Sequence, residues 1–316
     1  MAIAPTEIQL ERASLVPSST RIGMWHRLKK HRLAQLGFAL VVLLLLAAIF
    51  APLLTKFAPD AIVPKGLNFS GEPHPPGDGF VLGADALGRD VWSRVVFGAR
   101  ISLLVGVFAM VTAVIVGTTI GLLSGFFGGW VDAVLMRFTE IIMSLPTILL
   151  AIALRVAIPD EIDWKFSFAH IAFEIPMLYK LLLAIGLVTW TGIARAVRGE
   201  VLSLKEREFV EAARAVGCSN TRILRTHLLP NVAPTIIVLA ALAMAHNILL
   251  EAGLSYLGLG VEASIPSWGN MIKEGQAYFI SAPWTLLAPG VAIVLTVAAF
   301  NFLGQAMQES LDTRKG

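Results

Sequence analysis

Residues 199–231 read GEVLSLKEREFVEAARAVGCSNTRILRTHLLPN, a polar, helix-forming island between two apolar runs. Phe209, Ala212, Ala213 and Val216 recur at helical spacing as one apolar stripe, and Glu206, Arg207 and Glu208 take the other face. Acids crowd the first half of this helix and Arg214 sits in its last turn, which suits the helix dipole. Gly217 supplies the left-handed residue that ends it. Ser219 or Asn220 then caps a second helix running to Leu229, and Pro230 marks the boundary with the next apolar run. The expected element is a helix-turn-helix held at a membrane surface.

The rest of the chain explains why a membrane is involved. Of 316 residues, 56% are hydrophobic and only 15% charged, too apolar a balance for a soluble domain. The net charge of +3 is small, so the placement of charge carries more than its sum. The single cysteine, Cys218, rules out an internal disulfide and a cysteine-based metal cluster.

Residues 1–33 form a polar segment that ends in Arg27, Lys29, Lys30 and Arg32, directly before the first apolar run, so this end is expected in the cytoplasm. Residues 34–91 hold the first span, retained as an anchor, and an outer loop broken by Pro64, Gly66, Pro73, Pro75 and Pro76. Val91, Val95 and Val96 beside Arg94 and Arg100 predict an interfacial helix with snorkelling arginines. Residues 101–129 carry no charge, and Gly117, Gly121 and Gly125 make a small-residue ridge for close helix packing.

Residues 128–137 read as a short cytoplasmic link. The third span, 138–157, is expected to kink at Pro146, with Glu140 at its cytoplasmic edge. Trp164, Phe166, Phe168 and Phe173 within 155–177 predict an extra helix at the outer interface. The fourth span is 178–196, the fifth 232–250 with His246 and Asn247 inside it, and the sixth 284–307; residues 251–283 return outside, and 311–316 form a cytoplasmic tail. Six spans with both termini inside follow.

Glu211-Ala212-Ala213, Gly217 and Leu229-Pro230 together resemble the cytoplasmic EAA loop of importer-type ABC permeases. Leu82-Gly83-Ala84-Asp85, Gly128-Gly129-Trp130-Val131-Asp132, Leu254-Ser255-Tyr256-Leu257-Gly258-Leu259-Gly260 and Pro266-Ser267-Trp268-Gly269-Asn270-Met271 are similar to the dipeptide/oligopeptide branch, in its C-type permease subunit. The likeness runs from Arg32 to Arg314 except for 155–177, where that branch has a much shorter link; Ala84 also stands where it usually has Thr, and the tail around Asp312-Thr313-Arg314 departs from its ending.

The resemblance implies an all-α integral membrane protein of six transmembrane helices, with the type I importer permease architecture over residues 92–310 and a cytoplasmic coupling helix within 199–231. It implies that Glu211, Ala212, Ala213, Arg214 and Gly217 couple the chain to an ATPase. It further implies a second permease subunit as heterodimer partner, two cytoplasmic ATPases, an extracytoplasmic solute-binding protein, and a bacterial or archaeal inner membrane around it.

Chemistry of the chain's own is not expected. No phosphate-cradling loop, HExxH or GxSxG occurs, and the histidines at 26, 31, 74, 170, 227 and 246 are scattered, so no catalytic residue, metal site or cofactor is predicted. The basic excess of 195–227 is weak and lies between spans, which excludes nucleic acid as a partner. His246 and Asn247 are candidates for the translocation path, against ordinary interhelical hydrogen bonding. An ATP-independent secondary transporter is the rival function, and it requires ionisable residues mid-span or inverted repeats of broken helices. An intramembrane enzyme would need a partner for His246 or Ser255.

Overall fold

A backbone in hydrocarbon must satisfy its own polar groups, and long helices are the outcome. The computed structural model describes residues 31–69, 71–158, 161–166, 169–174, 177–262 and 264–311. Helix α1 (Arg32–Ile49) is followed by the single turn α2 (Ala51–Leu54). After an irregular stretch come α3 (Val91–Phe127), α4 (Gly129–Ser144) and α5 (Thr147–Ala157). Strands β1 (Glu161–Phe166) and β2 (Ala169–Glu174) pair antiparallel. Next are α6 (Met177–Leu204), α7 (Glu208–Ala215) and α8 (Asn220–Arg222). A π-helical turn, Ile223–Leu228, leads into α9 (Leu229–Tyr256), and α10 (Trp268–Gly275) and α11 (Trp284–Leu311) complete the chain.

Among the described residues, five stretches are long and apolar enough to cross a bilayer: Arg32–Ile49, Val91–Phe127, Leu178–Leu204, Asn220–Tyr256 and Trp284–Ser310. The pair α4 and α5, bent by 99° at its break, passes the same test when its two parts are taken together, which makes up to six. The expected kink at Pro146 is therefore a full break: Pro146 starts α5 as its cap instead of bending a continuous helix. The 37-residue α3 is about 55 Å long at about 1.5 Å per residue, so it runs past a hydrocarbon layer of ~30 Å.

Helices α3 and α6 form the central pair, and the glycine ridge is why. A Cβ at Gly117 would lie 2.7 Å from the Trp190 carbonyl oxygen, and one at Gly121 2.6 Å from that of Ala194. One at Gly125 would lie 2.8 Å from the Val201 Cβ. Backbone meets backbone here, so dispersion contacts replace the hydrophobic driving force that lipid does not supply. Gly121→Val is expected to lose at least the 1–3 kcal/mol or so of an overpacked core, read as a lower thermal midpoint and faster proteolysis.

Three packed clusters join the other elements to this pair. At one end Trp190, Val197 and Val201 of α6 meet Val210 and Ala213 of α7, with Ile223, Leu228 and Val232. At the other, Val91, Ala99 and Leu103 of α3 pack with Met244, Ile248, Trp268, Met271 and Ile293. Between them, Ala151 of α5 sits against Leu181 and Ile185 of α6 and Leu254 of α9.

Four local expectations are corrected. The link 128–137 is the first part of α4, because Asp132 accepts from both nitrogens of Arg198 at 2.6 Å and from the Ser124 hydroxyl, fastening the helix to α6 and α3. The segment after α5 is a hairpin in register Glu161↔Glu174 to Phe166↔Ala169, not a helix; alternation of apolar and polar residues from Ile162 suits a strand. The helix after Ser219 does not stop at Leu229 but runs on into α9. Pro230 lies at the start of α9, where its missing N–H is tolerated, and the preceding wide turn accommodates its ring. Finally, Arg94 does not snorkel: it is 1% exposed. The expected cytoplasmic segment 1–33, save its last three residues, and the tail 311–316, save the backbone of Leu311, lie outside the described residues.

Candidate coupling site and translocation path

Helix α7 stands on the end of the bundle formed by the close of α3 and α6 and the start of α9. Its apolar residues divide between two directions. Val210 and Ala213, three apart, are buried in the core, whereas Phe209, Ala212 and Val216 are exposed, Val216 by 79%. The stripe expected from the sequence is thus split, since an eight-residue helix shows only one strip to its support. Glu211 is exposed beside Ala212, in the first turn where a carboxylate suits the helix dipole. Arg214 lies over the Phe126 ring at 5.6 Å and ties the last turn of α7 to the end of α3.

Gly217 closes α7 at φ +78°. Its N–H donates to the Arg214 carbonyl at 2.9 Å and the Cys218 N–H to that of Ala213 at 3.0 Å, the bond pair of a Schellman ending. Ser219 then accepts from the Arg222 N–H and starts the next helix. Glu211, Ala212, Ala213, Arg214 and Gly217 therefore lie together, but Ala213 faces the core and the others face out.

His246 and Asn247 are adjacent in α9 and face apart. His246 is exposed; Asn247 is fully buried, and neither of its amide atoms has a hydrogen-bond partner. One turn on, Glu251 is also fully buried. Its carboxylate accepts from the hydroxyls of Ser255 at 2.8 Å and Ser102 at 3.2 Å, and the Ser102 oxygen accepts the Trp268 N–H at 3.3 Å. The sequence places Glu251 at the start of an outer loop. It is instead the tie between α9, α3 and α10, and it supplies the partner that Ser255 lacked in the sequence.

A second tie escaped the sequence entirely. Arg89 donates to Asp85 and to Glu274, each at 2.6 Å, and Arg94 donates to Glu274 at 3.0 Å with Asp85 at 3.5 Å. Two cations and two carboxylates neutralise one another where the irregular stretch before α3, α3 itself and α10 meet. Their separation along the chain, up to 185 residues, leaves no local pattern to read.

A solved structure of the inward-facing MetNI methionine ABC transporter superposes with a TM-score of 0.52 over 69% of this chain and 96% of its own, at 19% identity, which shows the fold. The sequence profile of the binding-protein-dependent transport system inner membrane component matches residues 117–316. The chain belongs to that family. It is a multi-pass membrane protein and a permease subunit of an ABC importer, a transport component and not an enzyme. Membership implies ATPase and binding-protein partners.

Residues 21–75 of the permease also match the N-terminal membrane domain of oligopeptide transport permease C. It is 39% identical to the dipeptide transport permease DppC of Alkalihalophilus pseudofirmus, over 93% of this chain and 91% of that one. It is 35% identical to the oligopeptide permease OppC of Bacillus subtilis, over 94% and 92%. Against the glutathione permease GsiD of Pectobacterium atrosepticum it is 34% identical over 92% and 90%.

Proposed function

We propose that the exposed side of α7, with Glu211, Ala212 and the Gly217 turn, is the face gripped by an ATPase subunit, and that this permease passes peptides or similar small solutes. The observation that carries the coupling role is the split stripe: the core needs only Val210 and Ala213, yet Phe209, Ala212 and Val216 stay apolar and exposed beside a carboxylate. The substrate class rests on relatives named for dipeptides, oligopeptides and glutathione. The permease works as a heterodimer with a second permease, two ATPases and an extracytoplasmic binding protein. Residues 1–33, the 199–231 loop and 311–316 face the cytoplasm, and 92–310 form the permease transmembrane domain.

Closure of the ATPases draws the docked α7 helices together. Because α7 is packed on the ends of α3, α6 and α9, that motion reaches the spans directly and exchanges inward-open and outward-open arrangements. The exposed His246 of α9 is placed to line the path, whereas Asn247 is buried beside it and reaches no such surface. The comparisons lend no support to an ATP-independent transporter.

Cross-linking tests the docking face. In a Cys218→Ser background, Ala212→Cys is expected to cross-link to the ATPase subunit in the assembled complex, and Ala213→Cys, facing the core, to do so at least tenfold less. Equal yields from the two positions, or none from Ala212→Cys, would remove the proposed face. Orientation has its own check: cysteines at Asp78 and Ser264, both exposed, are expected to react with an impermeant thiol reagent in intact cells. Labelling only after the membrane is opened would reverse the topology.

A further inference from the structure

Near the end of the bundle remote from α7, α1, α3 and α11 line a groove of about 720 Å³. Its walls include Leu44 and Ala47 of α1, Val95 and Ala99 of α3, and Ala288 and Ala292 of α11. The lining is almost wholly apolar, so water has no partners there, and the groove is open to the bundle's outer surface, where apolar chains can enter it. We infer that the groove holds an acyl chain of a bilayer phospholipid, seated between the N-terminal span and the rest of the permease.

Three observations choose that occupant. The wall runs on into exposed Leu43, Leu54, Leu287 and Val291, so the groove is continuous with the apolar outer surface that meets hydrocarbon. Trp92, Trp268 and Trp284 line it, the residue type that settles at headgroup depth; the Trp92 indole N–H donates to the Leu54 carbonyl and that of Trp284 to Ala84. Lys56, two residues past Leu54, is exposed, lies 5.4 Å from the Phe57 ring centre, and has no carboxylate partner among the described residues. The phosphate of a lipid whose chain lies in the groove is assigned to that cation, which follows the groove residue Leu54 by two positions. Gly37 of α1 packs against the Ala299 carbonyl and Phe302 of α11, whereas nearer the groove Leu44 and Ala48 join the cluster of Val91, Ala99 and Leu103, and Arg100 donates to the carbonyls of Ala48 and Ile49.

The assembled complex, in nanodiscs of phosphatidylglycerol containing a fraction with a diazirine on one acyl chain, provides the test. After illumination and digestion, adducts are expected on peptides carrying Leu44, Val95 and Ala288 in excess of those at the exposed Phe108. Ala47→Phe combined with Ala288→Phe fills the groove and is expected to cut the first set at least tenfold, with adducts at Phe108 and the thermal midpoint unchanged. Should the filled variant unfold, Lys56→Gln decides: it is expected to lower groove adducts at least threefold, and to abolish any preference over a phosphatidylcholine probe. Groove adducts no greater than at Phe108, adducts indifferent to both variants, or cross-links showing another protein's span in the groove would each overturn the assignment.

Discussion

Replacing Glu274 by alanine is expected to destabilise the permease by about 3 kcal/mol, because it strips a buried arginine of its nearest carboxylate. Arg94 is 1% exposed and donates to Glu274 at 3.0 Å, and Arg89 donates to the same oxygen at 2.6 Å. The estimate sits at the low end for a broken buried pair, since Glu274 keeps 28% of its side chain exposed and Asp85 remains within 3.5 Å of Arg94. A fall of roughly 4–5 °C in thermal midpoint corresponds to that cost for a chain of this length. Glu274→Gln keeps an acceptor and should lose less. Arg94→Leu with Glu274→Leu removes both charges while Asp85 and Arg89 stay paired, and should recover much of the deficit. A single variant as stable as the parent would mean that the four charges do not hold α10 to α3.

That network marks the limit of what could be read in the chain. Apolar runs place the spans because a bilayer imposes a length and a composition on each one separately, and the ridge of Gly117, Gly121 and Gly125 announces a close helix partner through its four-residue spacing alone. The sequence shows neither which partner α6 would be nor that Arg94 would be buried, because the groups that decide both lie far along the chain. The same holds for Glu251. Its place near the end of an apolar run resembles that of any boundary carboxylate, and only the approach of Ser102 and Trp268 from other elements makes it internal. Within the coupling loop the helix, its glycine stop and its serine cap were legible, being local. Which apolar residues would face out was not, since that depends on where the bundle's end lies beneath α7. The hairpin at 161–174 is hard to read for a different reason: its clustered aromatics suit an interfacial helix as well as a strand, and only the alternation from Ile162 favours the strand.

The coupling loop carries the largest functional expectation. On the proposed docking role, Glu211→Lys and Gly217→Val should each abolish transport, and ATPase stimulation by the binding protein, while leaving membrane insertion and assembly near normal. Glu211 is exposed and makes no ion pair among the described residues, so reversing its charge removes no internal support; exposed pairs are in any case worth at most about 1 kcal/mol. Gly217 is a sharper case. Nothing lies within 4 Å of a Cβ built there, so valine meets no clash, and its whole penalty is conformational, at φ +78°. A left-handed residue other than glycine costs roughly 1–2 kcal/mol, more for a branched side chain, which a multi-span protein survives but a short exposed helix ending does not. The angle between α7 and the segment after Ser219 should open, carrying Ala212 and Glu211 off the ATPase. Gly217→Asn separates geometry from mere bulk: asparagine tolerates the left-handed region, so it should retain substantial transport in proteoliposomes where valine retains none. Equal transport by the valine and asparagine variants would show that the turn does not set the angle, and normal transport by Glu211→Lys would leave α7 a passive surface helix.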